Sequence, residues 1–332
     1  MKEKIYFDTN WVGPTGIGRF SSEIIKGIPA ITKIPIKGNP LSFSYMIKLS
    51  IFLFFSSGKY FTPGFNVPLI CLKKTIITLH DLNHIDLDYN SSIFKRMYYS
   101  IFLKNACKKC YSILTVSEFS KKRIVDWSGV DESKVIVVGN GVSDSFSSPD
   151  EKSINGLDNK KYILMVSNRK IHKNEQRAIQ AFSAAMIDEQ VLLYITGCET
   201  PELVELIKRL NIKDKVIFLG KLTDERLITV YKNAIMLLFP SLYEGFGLPV
   251  IEAMKSGLPV VTSKTTSLGE IAGDAAFLID PTSVEDISRG IENVFNDESL
   301  RTELIEKGYG RAQEFSWDSV IQKTNVILGN FN

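Results

Sequence analysis

Short apolar runs punctuate this 332-residue chain, and stretches of helical period fill the intervals between them. Runs of four to eight apolar residues rich in β-branched and aromatic side chains suit strands buried on both faces, as in parallel sheets. In the first half they fall at 5–8, 31–36, 75–79, 112–116 and 135–138. Pro35 interrupts the second of these and weakens it as a strand. The second half restarts at 162–166 and continues at 192–196, 216–219, 235–239, 259–262 and 276–279, with a long helix after Pro281. Residues 117–129 predict a helix capped by Ser117 and closed by Gly129. Residues 140–160 are rich in Asn, Ser, Asp and Gly, which makes them the expected linker. No short period recurs. The repeat is architectural: an α/β chain of two Rossmann-like halves, with parallel sheets facing a central cleft.

A chain of this length holds two domains with separate cores. A hydrophobic content of 44% and a charged content of 23% are those of a globular protein, not a disordered or fibrous one. Residues 1–8 lead straight into a strand and do not read as a signal peptide, so a cytoplasmic location is expected. The four cysteines do not form a disulfide framework. Cys107 and Cys110 make a lone C-x-x-C without the second pair that a zinc site needs, and reduced structural thiols are expected.

Charge changes the picture. The net balance is +3, yet residues 1–150 carry 19 Lys+Arg against 12 Asp+Glu, and residues 151–332 carry 21 against 25. The first half is therefore expected to face something anionic. Two of its segments, 42–57 (SFSYMIKLSIFLFFSS) and 91–110 (SSIFKRMYYSIFLKNACKKC), mix cationic and apolar groups. The first is too short to span a bilayer and is interrupted by Lys48. Each reads either as an interfacial helix at the inner membrane face or as a core helix with a basic edge, and the core reading is preferred for 91–110. No nucleic-acid recognition motif accompanies the basic charge.

The densest chemistry lies in FPSLYEGFGLPVIEAMKSGLPVV, residues 239–261. It reads as strand, glycine loop, helix and strand, with Pro249 in the first turn of the helix and Gly257 closing it. Gly245 and Gly247 let the backbone approach a ligand, and the helix N-terminus favours anions. Glu244 and Glu252 flank the loop; a carboxylate accepts two hydrogen bonds at once and so suits the vicinal hydroxyls of a sugar. Glu252 is expected in the first helical turn, at the mouth of the site. A bare E-x7-E spacing is weak, and without its context a helix cap and a solvated loop residue would explain it.

The full string, however, resembles the retaining glycosyltransferases of family 4, which have the GT-B fold. The resemblance extends to TSLGEIAGDAAFLIDP (266–281), FSWDSVIQKTNVIL (315–328), VSNRKIHKNEQRAIQAF (166–182) and DTNWVGPTGIGRF (8–20), and is loosest over 21–70. It implies an acceptor-binding domain over 1–150, a nucleotide-sugar-binding domain over 151–314, and a C-terminal helix near 315–332 that packs back on the first. It also implies roles for particular residues. Lys173 would neutralise the donor diphosphate, with Arg169 or His172 as the second contact, since the family's basic pair is here His172-Lys173-Asn174. Glu244 would contact the donor sugar and Glu252 the ribose, with the backbone of Gly245, Phe246, Gly247 and Leu248 on sugar and phosphate. Gly16, Ile17 and Gly18 would lie in the loop after the first strand, under the phosphates and the acceptor. Arg19 would lie near the acceptor or support that loop. His80, at the step from an apolar strand into HDLNH, would contact the transferred sugar or orient the leaving group.

His84 and Asp86 are weaker candidates. With His80 they mimic a metal cluster, but the spacing matches no standard site. No D-x-D pair stands in a context that suits diphosphate chelation, so no metal or other cofactor is expected. No residue stands out as a nucleophile, which favours front-face transfer with retention over double displacement. The GIGRF string resembles mannosyl- and rhamnosyl-type members and favours a GDP-sugar over a UDP-sugar. The expected partners are thus a nucleotide-sugar and a glycan or polyprenyl-linked acceptor in surface polysaccharide synthesis. Two rivals remain from the sequence: a hydrolysing sugar-nucleotide epimerase of the same fold, and a non-catalytic binding subunit.

Overall fold

Each half of the chain builds its own six-stranded sheet, and every strand pair in both sheets is parallel. The computed structural model describes residues 4–87, 93–147 and 160–331. It separates into one unit of Met1–Gly141 with Trp317–Asn332 and a second of Val142–Ser316.

In the first unit the strands are β1 (Ile5–Phe7), β2 (Ile31–Lys33), β3 (Lys59–Thr62), β4 (Thr75–Thr78), β5 (Ser112–Thr115) and β6 (Val135–Val137), in the order β2-β1-β3-β4-β5-β6. The inner strands β4 and β5 are wholly buried, as unbroken apolar runs require. β3 was not anticipated from the pattern. It is four residues long, lies between Gly58 and Pro63, and follows a longer apolar run that dominates the local signal. β2 is shorter than the 31–36 expected. Ile34 N–H still bonds to the Phe7 carbonyl at 2.9 Å, but Pro35 has no N–H to continue the ladder, and the strand sits at the sheet edge.

The helix Phe43–Phe55 starts where the Ser42 hydroxyl accepts from Tyr45 N–H at 3.2 Å. It buries Tyr45, Leu49 and Leu53 against Ile34 and Tyr60. The helix Glu118–Ser128 runs as expected between its Ser117 cap and Gly129, which takes φ +69°. Residues 93–109 are helical, with a π-helical turn at Tyr98–Leu103, and bury Tyr99, Leu103, Ala106 and Cys107; 91 and 92 lie outside the described residues. Cys107 and Cys110 are free thiols, and burial pushes the Cys110 thiol up to about 12. The last helix, Trp317–Asn330, places Trp317, Val320, Ile327 and Leu328 in one cluster with Phe7, Phe20 and Ile24 of the first unit.

In the second unit the strands are β7 (Tyr162–Met165), β8 (Leu192–Ile195), β9 (Val216–Phe218), β10 (Met236–Phe239), β11 (Val260–Ser263) and β12 (Phe277–Ile279). Their order, β12-β11-β10-β7-β8-β9, is the 3-2-1-4-5-6 arrangement of doubly wound dinucleotide-binding sheets. The single long helix expected after Pro281 is two, Val284–Asn296 and Glu298–Gln313. Asp297 separates them, because its carboxylate caps the second at Leu300 N–H, 2.9 Å away. Of the expected linker, residues 148–159 lie outside the described residues; the division between the units falls within it, after Gly141, and Phe146 packs edge-on against Tyr231 of the second unit at 5.6 Å. Among the described residues no helix is long and apolar enough to cross a membrane.

Candidate active site

β7 and β10 are neighbours whose crossover connections leave in opposite directions, so a crevice opens beyond their carboxyl ends. Residues 166–174 follow β7 and residues 240–247 follow β10. Here Lys173 Nζ lies 2.6 Å from Glu244 Oε1, with the two side chains 11% and 15% exposed. The ammonium also sits 4.8 Å over the Phe239 ring. Two residues 71 apart, assigned to phosphate and sugar by resemblance, thus form one ion pair.

Hydroxyls, a backbone N–H and one side-chain amide hold this pair in place. The Ser241 hydroxyl lies 2.6 Å from the same Glu244 oxygen, and Leu242 N–H donates to the His172 carbonyl at 2.7 Å. Ser263 Oγ donates to Ser241 O at 2.7 Å, and Ser267 Oγ lies 2.8 Å from Glu244 O and 3.0 Å from Phe246 O. Asn174, in the left-handed region at φ +62°, donates to Pro240 O and Pro281 O at 2.9 and 2.6 Å. The loop is therefore anchored through its carbonyls. Gly245 and Phe246 are buried, and Gly247 at φ +111° turns the chain into the helix Leu248–Lys255, with Pro249 in its first turn.

Glu252 is placed differently from expectation. It belongs to the second turn of that helix, not the first, and is 6% exposed rather than at the mouth. Tyr231 Oη donates to its Oε2 at 3.0 Å. Tyr231 comes from the helix Asp224–Asn233, and the spacing of the glutamates carried no sign of it.

The two candidates for a second phosphate contact differ in kind. Arg169, at φ +63°, directs Nε to Cys198 O at 2.5 Å, Nη2 to Thr196 O at 2.8 Å, and Nη1 to the Glu175 carboxylate. Two of its five N–H groups thereby brace the turn after β8, and a third ties Arg169 to the helix Glu175–Ala184. Arg169 also lines a cavity of about 440 Å³ together with Asn174, Glu175, Arg177, Thr200 and Leu242. His172 is 4% exposed, and its Nδ1 has no hydrogen-bond partner among the described residues. Burial lowers its pKa to about 4, with Glu244 opposing the shift, so near neutral pH it is an uncharged hydrogen-bonding group and not a cation.

In the first unit, Gly16, Ile17 and Gly18 are not in the loop after β1. They form the first turn of the helix Gly16–Gly27. The Thr15 hydroxyl accepts from Gly18 N–H at 3.0 Å, so this amide caps the helix. A side chain at Gly18 would collide with the Gly13 backbone, which explains the glycine through packing. His80 is half-buried after β4. Its Nε2 lies 2.9 Å from the Pro63 carbonyl, an acceptor only, so Nε2 carries the proton and Nδ1 the lone pair. Burial lowers its pKa to about 4, and Phe20 meets its ring edge-on at 5.2 Å. Asp86 is paired with Arg123, Nε to Oδ2 at 3.0 Å and Nη2 to Oδ1 at 2.5 Å, and His84 packs among Phe65 and Tyr99. Among the described residues no group of three His, Cys, Asp or Glu is placed to hold a metal ion.

Sequence reasoning missed Asp8. It ends β1 beside β3, where the first sheet's crossovers diverge, and is fully buried. Its Oδ2 accepts from Tyr45 Oη, Tyr60 Oη and Asn66 Nδ2 at 2.9, 2.7 and 2.8 Å. Its Oδ1 accepts from Asn10 N–H and Nδ2 at 3.0 and 2.8 Å. Burial, with the Asp8 charge adding to it, raises both phenol pKa values. The partners come from four separate stretches, and no local pattern announces them.

The fold is that of GT-B proteins, two Rossmann-like domains, and the second unit carries its loop chemistry at the switch point. The chain belongs to glycosyltransferase family 4: residues 58–146 match the model described as Glycosyltransferase Family 4, and residues 147–311 that of glycosyl transferases group 1. It is 30% identical over 256 residues to an O-antigen chain mannosyltransferase, RfbU, of Salmonella typhimurium, covering 76% of this chain and 69% of that one. It is 29% identical over 276 residues to O-antigen chain mannosyltransferase B of Escherichia coli, covering 80% and 72%. Anabaena HepE, solved with UDP, superposes with a TM-score of 0.80 at 17% identity over 99% of this chain and all of that one.

Proposed function

We propose that this glycosyltransferase moves a hexose, of mannose or rhamnose type, from a nucleotide-sugar to a glycan or lipid-linked acceptor in surface polysaccharide synthesis. The observation that carries this reading is the Lys173–Glu244 pair at the carboxyl ends of β7 and β10. Departure of a nucleoside diphosphate loads negative charge on its β-phosphate. Lys173 and the N-terminus of the helix Leu248–Lys255 are the groups suited to stabilise that charge. Glu244 holds the ammonium in position beforehand and offers a carboxylate to the donor's hydroxyls once phosphate takes its place. Glu252, fixed by Tyr231, is suited to a ribose diol.

The names of the mannosyltransferase relatives support the sugar class. A GDP-sugar is the favoured donor, and UDP is the competitor to test. Transfer proceeds with retention by front-face attack, in which the leaving phosphate takes the acceptor proton and no protein nucleophile or metal takes part. The protein works in the cytoplasm, in contact with the inner membrane face through its basic first half.

A thermal-shift panel of GDP, UDP, ADP and dTDP, each with and without EDTA, tests this. A ligand at about 100 times its Kd adds about 2.7 kcal/mol. GDP is expected to stabilise the wild type equally with and without EDTA, and to lose its effect in Lys173→Ala and Glu252→Gln. If no nucleotide shifts the wild type, the donor-binding reading falls.

A further inference from the structure

The helix Phe43–Phe55 is apolar on all sides, although only one side is covered. Its inner face buries Tyr45, Met46, Leu49 and Leu53. Its outer face carries Phe43, Ile47, Ile51, Phe54 and Phe55, at helical spacing, and Phe54 and Phe55 are 65% and 82% exposed. A surface helix normally turns charged groups outward, whereas the exposed polar residues of this one are Ser44 and Lys48. The patch continues sideways. Phe43 meets Phe102 with ring centres 6.5 Å apart, and the segment bearing Phe102 also exposes Met97 and Ile101.

The charge along these two segments of the chain has one sign. No Asp or Glu occurs between Glu23 and Asp81, an interval that holds seven lysines, nor between Asp88 and Glu118, which holds four lysines and an arginine. One of these cations is fixed at the apolar stripe itself: Lys74 Nζ lies 3.5 Å from Ser56 O, just past Phe55.

We propose that this face docks on an anionic lipid bilayer. The helix lies in the interface, with its phenylalanines and isoleucines among the upper acyl chains and the lysines against headgroup phosphates. Its 13 residues span about 20 Å, short of the ~30 Å hydrocarbon core, so it lies along the membrane and does not cross it. A second copy of this chain is a poorer occupant, because an acid-free basic face set against itself brings like charges together. The proposal concerns binding and does not depend on the donor reading, so the two fail separately.

The test is co-sedimentation of the full chain with phosphatidylcholine vesicles, with and without phosphatidylglycerol, over a salt series. The wild type is expected to bind the mixed vesicles, more weakly as salt rises, and to leave pure phosphatidylcholine largely unbound. The double variant Phe54→Ser/Phe55→Ser should lose more than about tenfold in partitioning. Lys48→Glu and Lys74→Glu should each lose about fivefold or more. Val326→Ser, at an equally exposed apolar residue of the last helix, should bind as the wild type does. All five positions are surface sites, and thermal melts check that the variants stay folded. Phe55→Trp supplies a second readout, a blue-shifted emission with mixed vesicles alone. Equal binding to both vesicle types, or partitioning of the double variant unchanged from wild type, overturns the proposal. So does a concentration-dependent dimer that Phe54→Ser/Phe55→Ser abolishes, without vesicle binding by the wild type.

Discussion

The two sheets place a carboxylate at their switch points and treat it in opposite ways. In the first unit Asp8 is fully buried and its five hydrogen bonds come from neutral donors, two phenols and two asparagines. In the second unit Glu244 keeps some exposure and is held by the Lys173 ammonium and the Ser241 hydroxyl. A carboxylate enclosed by fixed neutral donors is committed to structure, since it has no exchangeable partner. One shared with a single ammonium beside a crevice can trade that partner for a ligand. A carboxylate near each switch point is thus committed to structure in one unit and open to exchange in the other.

The sharpest way to break this contrast is to remove each carboxylate. Asp8→Ala strands buried donors on Tyr45, Tyr60 and Asn66, and is expected to lose about 3 kcal/mol or more of stability in urea melts. Glu244→Ala leaves the largely buried Lys173 ammonium without its carboxylate, but the ammonium can turn to water in the crevice, so the loss should be smaller, about 1–2 kcal/mol. Its transferase turnover should nevertheless fall markedly. Comparable instability of the two variants would dissolve the distinction. Next in size, Lys173→Ala is expected to lower turnover by about 10²–10³-fold, with a smaller loss of melting temperature than Asp8→Ala. Steady-state kinetics with the preferred donor check it. Smaller still, Tyr231→Phe removes one hydrogen bond to the Glu252 carboxylate and should weaken nucleotide binding by about 1.5 kcal/mol, read by calorimetry.

A further test, on both units at once, is the pH dependence of stability. His80 and His172, one in each unit, both have folded pKa values lowered to about 4 from 6.5. Below 6.5 the unfolded chain takes up protons that the folded chain refuses. Their contribution is therefore complete above pH 6.5 and is lost as pH falls toward 4. Melting temperature should drop through that window, and His172→Gln should flatten the curve. An equal drop in a variant lacking both imidazoles would assign the acid sensitivity to carboxylates instead.

How much of this the chain disclosed in advance follows from locality. The helix at 117–129 was legible because its cap, its period and its closing glycine lie within 13 residues. The glycine loop was legible for the same reason, and Gly247 turns the chain where it was expected to. Family resemblance assigned Lys173 and Glu244 to one site, but their direct pairing depends on the order of β7 and β10, which no local pattern encodes. Glu252 was misplaced because its helix already starts at Leu248, one residue ahead of Pro249, which carries Glu252 just past the first turn and against Tyr231. β3 was hidden by its length, and with it went the site of Asp8, whose partners are scattered over 58 residues.

The last helix carries a consequence for how the chain is made. Trp317, Val320, Ile327 and Leu328 complete a cluster whose other members, Phe7, Phe20 and Ile24, leave the ribosome some 300 residues earlier. The second unit is continuous in sequence, whereas the first is not. Vectorial synthesis therefore reverses the usual order: the later-made unit can finish folding first. Meanwhile the nascent first unit exposes Phe20 and Ile24, a natural target for a chaperone, until the final helix emerges.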